Sequence, residues 1–160
     1  MGEPLKLPDL AATEALGRML ASALPEDARG WTVLLAGELG AGKSALARAV
    51  LRALGHDGTV PSPTYTLVEP YALANYTAYH IDLYRVNSED ELEFLGWSDM
   101  QDGLKLIEWP ERAPRATQAA DIRVELRYAG SGREADITGL SERGAAIAGK
   151  LARLPSEVPS

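Results

Sequence analysis

The chain of 160 residues contains no cysteine, which excludes disulfides, Cys-ligated zinc, iron–sulfur clusters and thiol catalysis in one step. With only two histidines as well, it offers little for a zinc site of any kind. Positive charge is also scarce: 16 Lys plus Arg against 23 Asp plus Glu leave a net charge of −7 at pH 7. A broad basic face for DNA or tRNA is therefore not expected, and any action on nucleic acid should be indirect. No apolar run approaches the roughly 20 residues that span a bilayer, and Met1 to Leu7 lacks the basic-then-apolar order of a secretory signal. A soluble, cytoplasmic protein with no membrane or DNA partner is the expectation. Repeats and low-complexity stretches are absent too, and 46% hydrophobic content suits one compact domain over residues 1–160, with 155–160 as a frayed tail.

What is present is concentrated in Gly37-Glu38-Leu39-Gly40-Ala41-Gly42-Lys43-Ser44. The run follows the apolar Val33-Leu34-Leu35-Ala36 and precedes an Ala/Leu/Arg stretch, the strand, loop and helix order of a phosphate-binding P-loop. Gly37, Gly40 and Gly42 let the backbone turn tightly, so that the amides from Leu39 through Ala41 to Ser44 face an anion. Lys43 is of a length to reach β/γ-phosphate oxygens, and the Ser44 hydroxyl is of a type that enters a Mg²⁺ shell. The following helix adds the positive end of its dipole to the same place.

The rest of the pattern predicts the frame. Asp9 to Glu14 leads into Leu16, Met19, Leu20 and Leu24, a helical spacing that stops at Pro25. Trp31 to Ala36 reads as a central strand buried on both faces, and Ala45 to Leu54 as a helix ended by Gly55. Pro61 to Thr64 is a stiff hydroxyl-bearing loop, followed by strands at Tyr65–Glu69 and Thr77–Tyr84 joined by a turn over Ala72–Asn75. Ser88 to Leu95 reads as a helix with a capping box from Ser88 and Glu91. Leu104–Ile107 is a further strand. Ile122–Tyr128 and Glu134–Thr138 form a hairpin about Gly130-Ser131-Gly132, and Ser141–Leu154 is weakly helical. The fold expected is a single α/β P-loop NTPase domain, its mixed parallel and antiparallel sheet flanked by helices.

A P-loop needs a carboxylate across the metal, at the end of a neighbouring apolar strand. Glu108 ends such a strand, which makes it the candidate Mg²⁺ partner of Ser44; a solvated acid capping a strand has the same appearance. Asp82 ends the alternating His80-Ile81-Asp82 strand, with both polar side chains on one face. It is the candidate for holding the attacking water, with His80 in support. A plain solvent-facing side of an alternating strand fits those two residues equally well. Ser62 and Thr64 are candidate γ-phosphate sensors or ordinary turn residues. Trp109 is a core or partner contact, or a nucleotide contact.

Taken together, Gly37 to Ser44, Ser62 to Val68, His80 to Arg85, Glu91 to Gly96 and Ile107 to Pro110 resemble the TsaE (YjeE) family over about residues 8 to 138. The five motifs stand in family order. The resemblance implies a small P-loop ATPase that binds ATP or ADP with Mg²⁺ and hydrolyses ATP slowly. It further implies work with the TsaB and TsaD proteins in threonylcarbamoyladenosine modification beside the tRNA anticodon, with tRNA touched only through that complex. Carried over by motif, Leu39, Gly40, Ala41, Gly42, Lys43 and Ser44 hold the nucleotide, Ser44 and Glu108 the metal, and Asp82, Glu108 and Lys43 serve hydrolysis. Ser44 stands where Thr is common in the family, a change that keeps the ligating hydroxyl. The segment from Leu10 to Thr13 and Arg133 are further positions brought near the nucleotide by the resemblance. Two other classes remain open from the residues: a small-molecule kinase and a nucleotide-dependent binding switch.

Overall fold

The computed structural model describes residues 4–60, 67–153 and 157–159; the expectations for Ser62, Thr64, Tyr65 and Thr66 lie outside the described residues. Strand β1 (Leu5–Leu7) and helix α1 (Leu10–Ala23) open the chain, followed by β2 (Thr32–Gly37) and α2 (Lys43–Ala53). Strands β3 (Val68–Ala72), β4 (Thr77–Asp82) and β5 (Leu104–Glu108) come next, then β6 (Ile122–Ala129), β7 (Gly132–Gly139) and α3 (Glu142–Leu151). The strands form one sheet in the order β1-β7-β6-β2-β5-β4-β3. Its centre, β6-β2-β5-β4, is parallel throughout, and antiparallel pairs lie at both flanks. The chain is thus a mixed-sheet α/β fold.

Local chemistry accounts for the helices. Asp9 caps α1 by accepting from the Ala12 N–H at 2.9 Å, and Leu24, which precedes Pro25, turns extended at ψ 151°, because proline disfavours helical geometry in the residue before it. Ala12, Leu16 and Leu20 of α1 meet Leu46, Ala47 and Val50 of α2 over Val33, Leu35, Leu104 and Leu106. The two helices are in close contact at Gly17, where an added Cβ would stand 2.5 Å from the Ala49 Cβ. The opposite face of β2, β4 and β5 buries Leu34, Ile81 and Ile107 under Leu83, Val86, Leu92 and Met100. Both faces of the central strands are therefore dry, as their continuous apolar runs demand.

Five elements differ from expectation. Residues Glu89–Leu95 form a 3₁₀ rather than an α-helix. Glu89 and Glu93 would repel at i,i+4 in an α-helix, whereas Leu92 and Leu95, three apart, eclipse in a 3₁₀ turn and pack on one core. The capping box is not made: Ser88 Oγ accepts from the Asp90 N–H, and Glu91 reaches the Asn87 N–H instead of that of Ser88. In the hairpin β3-β4, the strand runs on through Ala72, and the reversal is made at Leu73, whose N–H donates to Tyr76 O. Strand β4 stops at Asp82, whose carboxylate accepts the Tyr84 N–H and turns the chain. The tail does not fray over 157–159: Glu157 bridges to Lys6, and Val158 is buried with its N–H donating to Lys6 O. Strand β1 itself, only three residues long, carried no periodicity to read.

Asp121 ties the starts of three elements together. It is 2% exposed, accepts from the Thr32 N–H at 3.0 Å and the Ser141 hydroxyl at 2.7 Å, and takes two bonds from the Arg143 guanidinium. Burial alone would raise its pKa, but the bonds from Arg143, Ser141 and Thr32 outweigh it and hold the carboxyl below the ordinary aspartate value. A depressed pKa contributes stability above the unfolded value of roughly 4, lost as pH falls through the folded one. We predict that Asp121→Ala lowers stability by about 2 kcal/mol at pH 7, and that the gap to wild type narrows below pH 4 in urea unfolding. A gap of constant size across that range would show that the charge of Asp121 is not what matters.

Candidate active site

The glycine-rich loop after β2 is built by backbone conformations that glycine alone adopts easily. Gly37, Gly40 and Gly42 have φ of 144°, 80° and 109°, all in the left-handed half of the map. At Gly37 the backbone also passes so near its neighbour that an added Cβ would lie 2.5 Å from Leu126 O. Gly42 caps α2, so Lys43 and Ser44 form the first turn of that helix. The amides of a helix start carry partial positive charge, which favours an anion there.

The parallel sheet aligns the two carboxylates beside this loop. In register, Leu35 of β2 faces Glu108 of β5, and Glu108 faces Asp82 of β4. Both acids lie on the sheet face that α2 covers and at the carboxyl ends of their strands, the usual ligand-binding edge of an open α/β sheet. Ser44 Oγ donates to Glu108 Oε2 at 3.0 Å and lies 3.3 Å from Oε1. His80 Nε2 donates to the same Oε2 at 2.5 Å, and His80 is fully buried. His80 therefore supports Glu108, not Asp82 as its strand position had implied. His80 and Asp82 point the same way two residues apart on β4 and lie side by side, whereas the longer Glu108 side chain reaches back diagonally from β5.

A cleft of about 450 Å³ opens over these groups. It is lined by Leu39, Gly40, Gly42, Lys43, Ser44, Asp82 and Glu108 from the expected set, by Trp109, one of whose readings was a nucleotide contact, and by Arg48, Leu67, Tyr84 and Arg85. Lys43 is buried, its ammonium donating to Gly37 O at 2.5 Å and Glu38 O at 2.9 Å and resting 4.2 Å from the Trp109 ring centre. Burial pushes its pKa down, against the pull of Glu108, Asp82 and Glu111. Burial likewise raises the pKa of Asp82, partly offset by the Tyr84 N–H bond, while Glu108 raises it further. Among the described residues, the two non-glycine residues with positive φ, Leu67 and Trp109, both line this cleft. Backbone held in sparsely populated regions clusters at functional sites.

Arg133 stands on the other side of the loop. Its guanidinium donates to Gly40 O at 3.3 Å and stacks at 4.2 Å on Tyr128, whose hydroxyl donates to Leu39 O. Leu10 and Thr13 line a smaller cavity with Gly40, Gly42 and Arg133. Arg48 was missed, although it follows Ser44 by four on a helix and so shares its face. Leu67 and Tyr128 were not, because only the folded backbone brings them to the loop. Among the described residues, no group of three or more His, Asp or Glu side chains converges as a metal cage.

The family model for the threonylcarbamoyl adenosine biosynthesis protein TsaE matches residues 7–135. The tRNA threonylcarbamoyladenosine biosynthesis protein TsaE of Haemophilus influenzae is 49% identical over 98 residues, 60% of this chain and 62% of that protein. That match therefore spans less than two thirds of the Haemophilus protein. The proteins of the same name from Synechocystis sp. and Nostoc sp. are 44% and 35% identical, over 68% and 82% of this chain and 71% and 83% of theirs. The crystal structure of Bacillus subtilis YdiB superposes with a TM-score of 0.70 and 27% identity, covering 96% of this chain and 97% of that one.

The raised pKa of Asp82 generates a prediction about stability. A carboxyl whose folded pKa is raised costs stability progressively as pH climbs from its unfolded value to its folded one, and the full cost remains above the folded value. Asp82→Asn, which keeps an acceptor for the Tyr84 N–H, should raise the thermal midpoint at pH 7. The gain should vanish at about pH 3, below the unfolded aspartate value of roughly 3.9. A lower midpoint at pH 7 would contradict the assigned desolvation cost.

Proposed function

This chain belongs to the TsaE family and so to the biosynthesis of threonylcarbamoyladenosine in tRNA; from that membership we propose that it is a Mg²⁺-dependent P-loop ATPase serving the TsaB and TsaD proteins. The observation that carries the ATPase reading is the contact of Ser44 with Glu108. A hydroxyl in the first turn of the helix after a glycine-rich loop meets a carboxylate at the end of the adjacent parallel strand. That pairing of groups is what a nucleotide-bound metal requires from the protein.

The donor set fits Mg²⁺. It consists of hard oxygens from one hydroxyl and one carboxylate, and Mg²⁺ is commonly held by one or two protein oxygens with phosphates and waters completing the octahedron. Ser44 and Glu108 would hold it, and when bound it would neutralise charge on the β- and γ-phosphates. Lys43 and the amides from Leu39 to Ser44 bind the phosphates. Arg133, placed against Gly40 O, steadies the outer side of that loop beside the nucleotide. Asp82, desolvated and next to Glu108 in register, orients the attacking water and accepts its hydrogen bond. The buried bond from His80 keeps the Glu108 carboxylate aimed at Ser44. A small-molecule kinase fits less well, because the stretch from Val86 to Leu104 contains no Lys or Arg to serve as a basic lid over a phosphoryl donor.

Lys43→Ala should weaken ATP and ADP binding by at least tenfold in titration calorimetry, by loss of a charged phosphate contact. Asp82→Ala should leave nucleotide affinity within about twofold while lowering turnover on the order of a hundredfold. Loss of binding in proportion to turnover would remove Asp82 from the hydrolytic step. For the partner assignment, ATP hydrolysis is compared with and without purified TsaB and TsaD. Stimulation is expected, and neither stimulation nor co-purification would sink it.

A further inference from the structure

The negative charge of this protein is not spread over its surface. Residues 86–104 contain six acids, Glu89, Asp90, Glu91, Glu93, Asp99 and Asp102, and no base. The rest of the chain then holds seventeen acids against sixteen bases, so this one segment carries six of the seven net charges. Within it stands Phe94, the sole phenylalanine of the sequence. At 91% exposed it is the most solvent-accessible of the large apolar side chains described.

Single exposed apolar residues are ordinary on protein surfaces. This one is held in place. The 3₁₀ turn that carries it is anchored from beneath by Leu92 and Leu95, which pack with Leu83, Val86 and Ile107. Glu89 fastens its start by accepting the N–H groups of Arg115 and Ala116, and Gly96, with φ 82°, ends it. Asp90 and Glu93, four and one places before Phe94 in the chain, are exposed as well. An aromatic ring presented on a fixed turn loses little entropy on burial, the property of an interface anchor. Surrounding charge of one sign selects a partner of the other and speeds its approach.

We propose that this face docks a partner protein through an apolar pocket that takes Phe94, rimmed by Lys and Arg that meet Asp90 and Glu93. The chemistry excludes a nucleic-acid backbone, which the six acids would repel. The face is also continuous with the nucleotide cleft: Leu92, Leu95 and Trp97 share one hydrophobic cluster with Trp109, which lines the cleft, and with Leu83 and Ile107, which flank Asp82 and Glu108 in the chain. A partner seated on Phe94 therefore presses on the cluster that underlies the cleft.

The inference rests on the reading that the chain works with TsaB and TsaD, and the purified TsaB–TsaD complex is the probe. Its affinity is measured by surface plasmon resonance for wild type, Phe94→Ala and the double variant Asp90→Lys, Glu93→Lys, each at 50 mM and 300 mM salt (roughly 14 Å and 6 Å of Debye length). Phe94→Ala should bind at least about tenfold more weakly. The charge reversal should slow association and flatten or invert its salt dependence. Both should bind an ATP analogue as wild type does, which shows that they are folded. Wild-type affinity in both variants would overturn the docking face while leaving the partner assignment intact. No binding by wild type would remove the partner assignment and the proposal with it. Concentration-dependent dimerisation abolished by Phe94→Ala, with TsaB–TsaD affinity unchanged, would assign the face to a second copy instead and overturn the proposal.

Discussion

The Glu108 carboxylate is the point on which the arrangement of the cleft depends. It receives the Ser44 hydroxyl from one side and the His80 imidazole from the other, and so joins the start of α2 to the ends of β5 and β4. Three segments far apart in sequence are locked together by two hydrogen bonds around one nearly buried acid. A buried carboxylate left without such partners is costly. The constraint therefore acts in both directions: the sheet register brings the partners, and the charge needs them to remain where the register puts them.

The same cleft holds several features that do not favour folding. Lys43 and Asp82 are desolvated in directions that oppose their charged forms, and Leu67 and Trp109 sit in left-handed backbone conformations that their side chains disfavour. The surrounding structure tolerates these costs because it is well packed elsewhere. α1 and α2 close over one face of the sheet, and the segment carrying Leu83, Val86, Leu92 and Met100 closes over the other. Stabilising contacts such as those of Asp121 lie at the amino-terminal edge of β2 and β6, away from the site. Strain and charge are thus gathered at the carboxyl edge of the sheet and stability at the opposite edge, a division common in proteins whose function needs groups held in unfavourable states.

Much of the frame was legible in the residues. The loop with its flanking strand and helix, the hairpin around Gly130 and the strand ending at Glu108 follow from local signals: glycine where φ must be positive and continuous apolar runs where both faces are buried. Errors fell where local and tertiary demands differ. Four acids in five residues read as an α-helical segment, but mutual repulsion and the three-residue spacing of Leu92 and Leu95 make it 3₁₀. Strand β1 and the 157–159 stretch exist because each pairs with something distant, and pairing partners leave no mark on so short a segment.

For the site, residue types nominated Lys43, Ser44, Asp82 and Glu108 as the cation, hydroxyl and hard carboxylate oxygens that phosphate and magnesium chemistry uses, and left a plain solvent-facing reading open for the two acids. Sequence also determined that the charge balance is acidic and that no thiol chemistry occurs. Which acid His80 serves, which backbone positions are strained, that Arg133 meets the loop and that Phe94 stands exposed to solvent were decided only by tertiary structure. The physical reason is that hydrogen bonds, desolvation and exposure are properties of neighbours in space. A linear pattern specifies what each group can do, and the parallel register of β2, β5 and β4 specifies to which other group it does it.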